Sequence, residues 1–383
     1  MIRRGVGQVA KMSHLAARFV GGSDVHVVDP NVDLRFVFEQ QEQLQTSVES
    51  RNLKIDLPTV KSEYEQWFEV YEQWKNAGDK ETQTQLKKEL RAKKDGLLNA
   101  LSLPNMIHHA GHKQPPILKP SNHAQYLAQQ GLMRIDKQNH VIHLVGFPVV
   151  VQKMIKDQLT ELFAESQLIS GSFFARAAVV EALNLDKELL TEFTDGSNHF
   201  PVTYLVGTSL ASLISPFIKS SFSEKNNTWP ISVQSSGSAY FPVKNEVDLI
   251  NSRQRLRHSA LTMTKTAEEL DVLINETNVR IGAYLDEGLN LEVKVREVRG
   301  NELRNYESQA FVVENRGLIL SRISRCDDYI SKRLNIVQGE NNEFVQMIYV
   351  ETDIDRIIAR LVDDLIDGKE PPKHLRDAIK RSY

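Results

Sequence analysis

Between Leu57 and Trp74 the apolar residues Leu57, Val60, Tyr64, Trp67, Tyr71 and Trp74 recur at alternating steps of three and four. That spacing keeps one side chain per turn on a single face, so it predicts a helix with a coiled-coil seam. The run Asn76-Ala77-Gly78-Asp79 interrupts it, and Leu86, Leu90, Leu97 and Leu101 then resume a compatible spacing that ends before Pro104. Two helices separated by so short a break predict an antiparallel hairpin. From Val141 onward, short β-branched runs such as HVIHLVGFPVVV, FPVTYLVGT and NLEVKVREV alternate with helical stretches at 264–287 and 353–367. The pattern predicts a mixed sheet with helices packed on it, an α+β domain.

These elements divide the chain into a helical region at 24–103 carrying the hairpin, a linker at 104–122 and a larger body at 123–383. The linker, PNMIHHAGHKQPPILKPSN, is rich in proline and histidine. Its His108, His109 and His112 have no cysteine or carboxylate nearby at ligand spacing, so a polar linker is expected in preference to a metal site. With 383 residues, 41% of them hydrophobic, the chain exceeds the size at which single cores stop growing, which agrees with two domains. The lone Cys326 excludes an internal disulfide. No apolar stretch approaches the roughly 20 residues of a membrane-spanning helix.

The first 23 residues hold Arg3, Arg4, Lys11 and Arg18, with no acid before Asp24, mixed with Val6, Val9, Leu15 and Phe19. This is the make-up of a mitochondrial transit peptide, with a disordered basic tail as the alternative, and it sets the expected location as the mitochondrial matrix. Loss of those four positive charges takes the formal charge from −3 to −7, so any RNA contact must come from a local patch. One such patch is available. The first hairpin helix is acidic, with Glu63, Glu65, Glu69 and Glu72, whereas Lys75, Lys80, Lys87, Lys88, Arg91, Lys93 and Lys94 mark the tip and second helix. They form either a solvated face with intrahelical pairs or a surface that neutralises nucleic-acid phosphates.

Six phrases in order resemble seryl-tRNA synthetases, class II enzymes with an N-terminal helical hairpin and an antiparallel-sheet catalytic domain. LSLPNMIHH resembles the family's exit from the hairpin, LISGSFFARAAVVEAL the segment beside its dimer interface, and YLVGTSLASL its serine-pocket strand. GNELRNYESQAFVVE, SRISRCDDYISKRLNI and NEFVQMIYVETDIDR follow the order of its late catalytic blocks. The chemistry of that family needs fixed charges around ATP, Mg²⁺ and the serine ammonium. Here the resemblance puts Leu210, two residues after Thr208, where the family's serine-binding acid stands. Aligning on YFPV puts Phe241 or Pro242 at the arginine that grips the α-phosphate, and Val243 or Lys244 at the acid that follows. Thr264 falls near a closing glutamate. Arg322 replaces a metal-binding and ATP-binding glutamate, while Arg325 and Asp328 replace a small residue and an amide. Arg356 matches the ATP-stacking arginine approximately, preceded by Tyr349, Glu351, Asp353 and Asp355 in place of small residues.

The resemblance therefore implies a degenerate mitochondrial paralogue: not an enzyme, with no catalytic residue, metal or cofactor. It would pair with itself or with the genuine mitochondrial seryl-tRNA synthetase, and bind mitochondrial RNA or tRNA through the hairpin, in support or regulation of translation. Arg322 and Arg325 either draw an anion into the vacated pocket or are satisfied by Asp327, Asp328 or Asp353. Two other readings are a rebuilt enzyme that activates or transfers an amino acid to a non-tRNA acceptor, and a module whose aromatic seam is a protein-binding groove.

Overall fold

The computed structural model describes residues 13–21, 27–193, 201–223, 225, 227–243 and 246–381. Its N-terminal region comprises α1 (Ala17–Val20), two short helices at 35–39 and 41–50, and the hairpin of α2 (Leu57–Asn76), α3 (Lys80–Ala92) and α4 (Lys94–Leu101). The hairpin ends where the sequence predicts. Asp56 caps α2 by accepting the Thr59 N–H, with Pro58 in the first turn, and Asp79 caps α3 by accepting the Thr82 N–H at 2.8 Å. Such caps satisfy donors that the helix leaves unpaired. The returning helix is broken at Lys93, which separates α3 from α4. A Cβ on Gly96 would run into the Glu63 carbonyl, so glycine there lets α4 close on α2.

The aromatic seam is the hairpin's own core. Tyr64 and Trp67 are fully buried, and the Trp67 and Tyr71 rings stack at 5.4 Å. Tyr64 also donates its hydroxyl to the Val32 carbonyl at 2.9 Å. Tyr71 and Trp74, farther along the seam, are only partly buried and line an open pocket with Phe68, Arg18 and Asp29.

The body is organised by a seven-stranded sheet of β1 (Gln167–Leu168), β2 (Ile231–Tyr240), β3 (Gln254–Thr264), β4 (Lys294–Glu297), β5 (Gln309–Asn315), β6 (Leu318–Asp327) and β7 (Gln346–Asp353). Its strand order is β4-β5-β6-β7-β3-β2-β1, antiparallel throughout except for the short β1–β2 pair. Period-two alternation gives the sheet two different faces. Ala260, Ile323, Ile348 and Val350 point back to α5 (Phe147–Leu162), α8 (Ala267–Ala283) and α10 (Ile354–Ile366) in one hydrophobic cluster. Val233, Leu261, Met263, Met347 and Tyr349 point forward to α6 (Ala177–Ala182), α7 (Leu210–Ile214) and α9 (Tyr329–Leu334) in another.

Three expectations change. The run HVIHLVGFPVVV is a strand only over Val141–Leu144; Phe147 then opens α5 with Pro148 in its first turn, because proline fits there but cannot donate to a ladder. Thr264 ends β3, and the following helix starts at Ala267 behind a Thr266–Glu269 capping box. Residues 104–122 carry little regular structure but lie along the body: Asn105 N–H donates to the Asn305 carbonyl at 2.7 Å and Gly111 N–H to that of Val298 at 2.8 Å. His109 Nδ1 sits 2.6 Å from Glu297, whose side chain also accepts from Gln309.

Of the expected leader, residues 1–12 and 22–23 lie outside the described residues. Residues 13–21 are packed. Leu15, Ala16, Phe19 and Val20 are buried, and Phe19 meets the Trp67 and Tyr71 rings edge-on at 5.8 and 5.7 Å. A cut after residue 23 would remove part of the hydrophobic core.

Candidate functional site

Cross-strand register decides what shares the front face. Leu261 lies opposite Tyr349, Ser259 opposite Glu351 and Arg257 opposite Asp353; on the other flank Arg322 lies opposite Glu351 and Ser324 opposite Tyr349. Directly opposed residues point the same way, so arginines and acids alternate across the centre of the sheet.

These charges are spent on one another. Glu351 is gripped by Arg257 at 2.9 Å and by Arg304. Burial by itself would raise its pKa, but the two guanidiniums overcome that and hold the carboxylate well below its ordinary range. Glu307, completely buried, takes Arg322 in a two-pronged pair, Nε at 2.7 Å and Nη2 at 2.5 Å. It also accepts the Ser324 hydroxyl at 2.6 Å and the Arg304 N–H at 2.7 Å. Here too burial pushes the pKa up, and Arg322 more than reverses it. Arg255 pairs with Asp353 at 2.8 Å and lies 3.6 Å from the centroid of the Phe241 ring, which Arg257 also approaches at 4.8 Å. An aromatic ring at this position attracts arginines but offers no cation of its own.

Around these pairs lie both apolar side chains and hydroxyls. Leu210 opens α7 behind a Ser209 cap and is buried in the forward cluster with Leu213, Ile214 and Tyr349. Tyr349, itself buried, hydrogen-bonds Ser259 at 3.0 Å. The buried Thr208 hydroxyl has no partner among the described residues, and a Cβ on Gly237 would press against it. Arg356 donates to the Ile319 carbonyl at 3.1 Å and lies 3.6 Å from Asp353. Magnesium needs several carboxylate or phosphate oxygens left available to it. Glu307 and Glu351 already accept from guanidiniums, and Arg322 stands between them, so this face does not fit a divalent ion. Among the described residues no group of three His, Cys, Asp or Glu side chains is gathered to hold one.

Not every expected position meets the others. Leu210, Phe241 and Arg322 reach the front face or its rim. Thr264 points to the back, its hydroxyl donating to the Thr266 carbonyl. Asp328 precedes α9 and pairs with Lys332 at 2.8 Å, while Pro242 follows Phe241 out of β2. Lys244 lies outside the described residues. The expected partners of Arg322 and Arg325 also need correction. Arg325 does pair with Asp327, at 2.5 Å, but its second partner is Asp271, and Arg322 takes Glu307, an acid absent from the expected set. Sequence reasoning does not single out Arg257, Arg304 or Glu307. The alternation of Arg257 with Ser259, and of Tyr349 with Glu351 and Asp353, is the signal that puts such residues on one face.

On the hairpin, Lys75, Lys80, Lys87, Lys88 and Arg91 are exposed, and Lys93 and Lys94 are half-buried. Lys93 pairs with Glu89 at 3.4 Å. Lys80, Lys87, Lys88 and Lys94 have no ion pair among the described residues. Positions 80, 87 and 91 are separated by seven and four, so they follow one stripe down α3, and Lys94 opens α4 beyond the break at Lys93. On the body, Leu168, Phe173, Phe174 and Phe193 are exposed, and the last two rings meet edge-on at 5.1 Å.

No protein-family model and no curated protein matches the sequence. Solved structures do match. The cytoplasmic serine-tRNA ligase of Naegleria fowleri, in complex with AMP, is 15% identical with a TM-score of 0.72, over 93% of this chain and 97% of its own. Seryl-tRNA synthetase of Pyrococcus horikoshii, complexed with ATP, is 14% identical with a TM-score of 0.74, over 91% of this chain and 98% of its own. The chain has a seryl-tRNA synthetase-like fold. Prolyl-tRNA synthetase of Giardia lamblia, with prolyl-adenylate, is similar at 13% identity and a TM-score of 0.57 over 65% of this chain and 53% of its own. The seryl-tRNA synthetase-like fold thus includes the hairpin as well as the class II antiparallel sheet. Within that fold, Leu210, Phe241 and Arg322 lie on the front face or its rim.

Proposed function

We propose that this protein is a mitochondrial pseudo-synthetase, a degenerate paralogue of seryl-tRNA synthetase that acts by binding and does not activate serine. In this respect it resembles the seryl-tRNA synthetase-like mitochondrial protein of insects. The observation that carries the reading is the front face, where Glu351 lies between Arg257 and Arg304 and Glu307 holds Arg322. The two solved structures bind ATP and AMP; in this chain, arginines and acids that would meet a nucleotide and its metal are neutralised by each other. An ammonium group has no carboxylate at Leu210.

Binding is supported by two surfaces. The stripe of Lys80, Lys87 and Arg91 on α3, with Lys88 beside it and Lys94 at the start of α4, suits an RNA backbone, mitochondrial RNA or tRNA, which many cations neutralise without reading sequence. The exposed Phe174 and Phe193, whose rings meet, with Phe173 and Leu168 also exposed, suit self-association or pairing with the genuine mitochondrial seryl-tRNA synthetase, since exposed apolar surface of this kind marks interfaces. The role that follows is support or regulation of translation in the mitochondrial matrix. Co-purification of tagged protein from mitochondria, with crosslinked RNA sequenced from the same sample, tests it. Recovery of the synthetase or a second copy, together with tRNA, is the expected result; recovery of neither contradicts it.

A further inference from the structure

Residues 13–20 lie within the expected leader, yet they touch both parts of the molecule. We infer that they are a permanent bolt between hairpin and body, and that proteolytic maturation of this chain stops at or before Ser13. Their body end is held by one carboxylate. Glu181, on α6, accepts the Ser13 hydroxyl at 2.8 Å and the His14 and Leu15 N–H groups at 2.9 and 2.8 Å, all on Oε2. Its Oε1 accepts from Lys187 Nζ at 2.6 Å. Leu15 then enters the forward cluster of the body beside Val179 and Leu183, while Ala16, Phe19 and Val20 enter the hairpin core beside Trp67 and Leu90.

One turn of chain is thus shared by two hydrophobic cores. Arg18 adds a pair to Asp29 at 2.8 Å, and Gly21, at φ +78°, turns away under the Arg91 side chain, where a Cβ would lie 3.0 Å from Nε. A removable leader has no reason to satisfy a buried aromatic seam; a retained segment does, because its loss exposes Trp67 and Tyr71 and leaves Glu181 with Lys187 alone. The inference stands whether or not residues upstream of Ser13 are removed, and so is independent of the pseudo-synthetase reading.

The N-terminal peptide of the endogenous protein, read by mass spectrometry, is expected to begin at Ser13 or earlier; a start between His14 and Asp24 overturns the inference. In the full-length chain, trypsin cleavage after Arg18 is the second readout, because it requires the bolt to open. Glu181→Ala is expected to speed that cut at least about tenfold and to lower Tm by several degrees, with Glu181→Gln intermediate since an amide oxygen still accepts. Phe19→Ala is expected to lower Tm by about 4–6 °C, the loss of a buried aromatic side chain. An unchanged rate of cleavage in Glu181→Ala and an unchanged Tm in Phe19→Ala would show that the segment is passive.

Discussion

Replacing Glu307 by Gln removes one charge and almost no volume, yet it leaves Arg322 buried with no carboxylate. Arg322 is 8% exposed and its guanidinium has two contacts to Glu307 and one to the Glu302 carbonyl. Breaking one side of such a buried pair costs about 3–5 kcal/mol, because the surviving charge stays desolvated. A chain of this length unfolds with an entropy near 0.8 kcal/mol per kelvin, taken from about 2.1 cal/mol/K per residue, so Tm should fall by about 4–6 °C. Arg322→Met removes the other charge and strands Glu307 instead, though Ser324 and the Arg304 N–H still serve it. The double variant leaves neither charge unpaired and should recover about 2–4 kcal/mol of the summed losses. Urea unfolding of the four proteins gives the coupling directly. If Glu307→Gln costs less than about 1 kcal/mol and the two changes simply add, Arg322 is not a structural partner of Glu307 and the pairing is refuted.

Asp355 accepts from Gln152 Nε2 at 2.6 Å and the Leu256 N–H at 2.8 Å, and burial, with Asp353 next to it, pushes its pKa up to about 7. A carboxyl whose folded pKa is raised binds its proton more tightly in the fold, so the stability it brings is full at acid pH and lost as pH rises from about 4 to about 7. Asp355→Asn, with the Gln152 amide flipped, should therefore gain Tm relative to the parent between pH 5 and pH 8; a constant difference rules out that titration. Gly96→Ala should destabilise by about 1–3 kcal/mol in urea unfolding, since a Cβ meets the Glu63 carbonyl; a neutral result places α2 and α4 farther apart than described. Charge reversal of Lys80, Lys87, Lys88, Arg91 and Lys94 should weaken binding to a tRNA probe by more than about tenfold and flatten its salt dependence by about one unit for each phosphate no longer neutralised. Retention of affinity and slope would move the RNA surface elsewhere.

The hairpin was legible because its determinants are local. Leu57, Val60, Tyr64 and Trp67 repeat on the helical period, and Asn76-Ala77-Gly78-Asp79 marks the turn. The strand runs were legible until Pro148, where β-branched Val149, Val150 and Val151 belong to a helix that packs on the back of the sheet through Val151, Ile155 and Leu159, while Val149 stays exposed. The place of Phe19 was not legible, for a different reason. Its basic neighbours resemble a leader, while the partners that give it a place, Trp67 and Tyr71, are some fifty residues away. The site shows the same division. Arg322 stands out because it reverses a charge within a recognisable phrase, but the acid that satisfies it is contributed by a different segment, before β5, and only strand pairing brings the two together. Arg257, Arg304 and Glu351 likewise form a unit only across strands.

ATP–pyrophosphate exchange, run with serine and with each of the other standard amino acids at high enzyme concentration, tests the central claim most directly. The front face as described predicts no amino-acid-dependent exchange above the enzyme-free background, because Glu351 and Glu307 are held by arginines and Leu210 cannot bind an ammonium. Exchange that depends on serine would show a working synthetase; exchange that depends on another amino acid would show a rebuilt enzyme that activates it for a different acceptor.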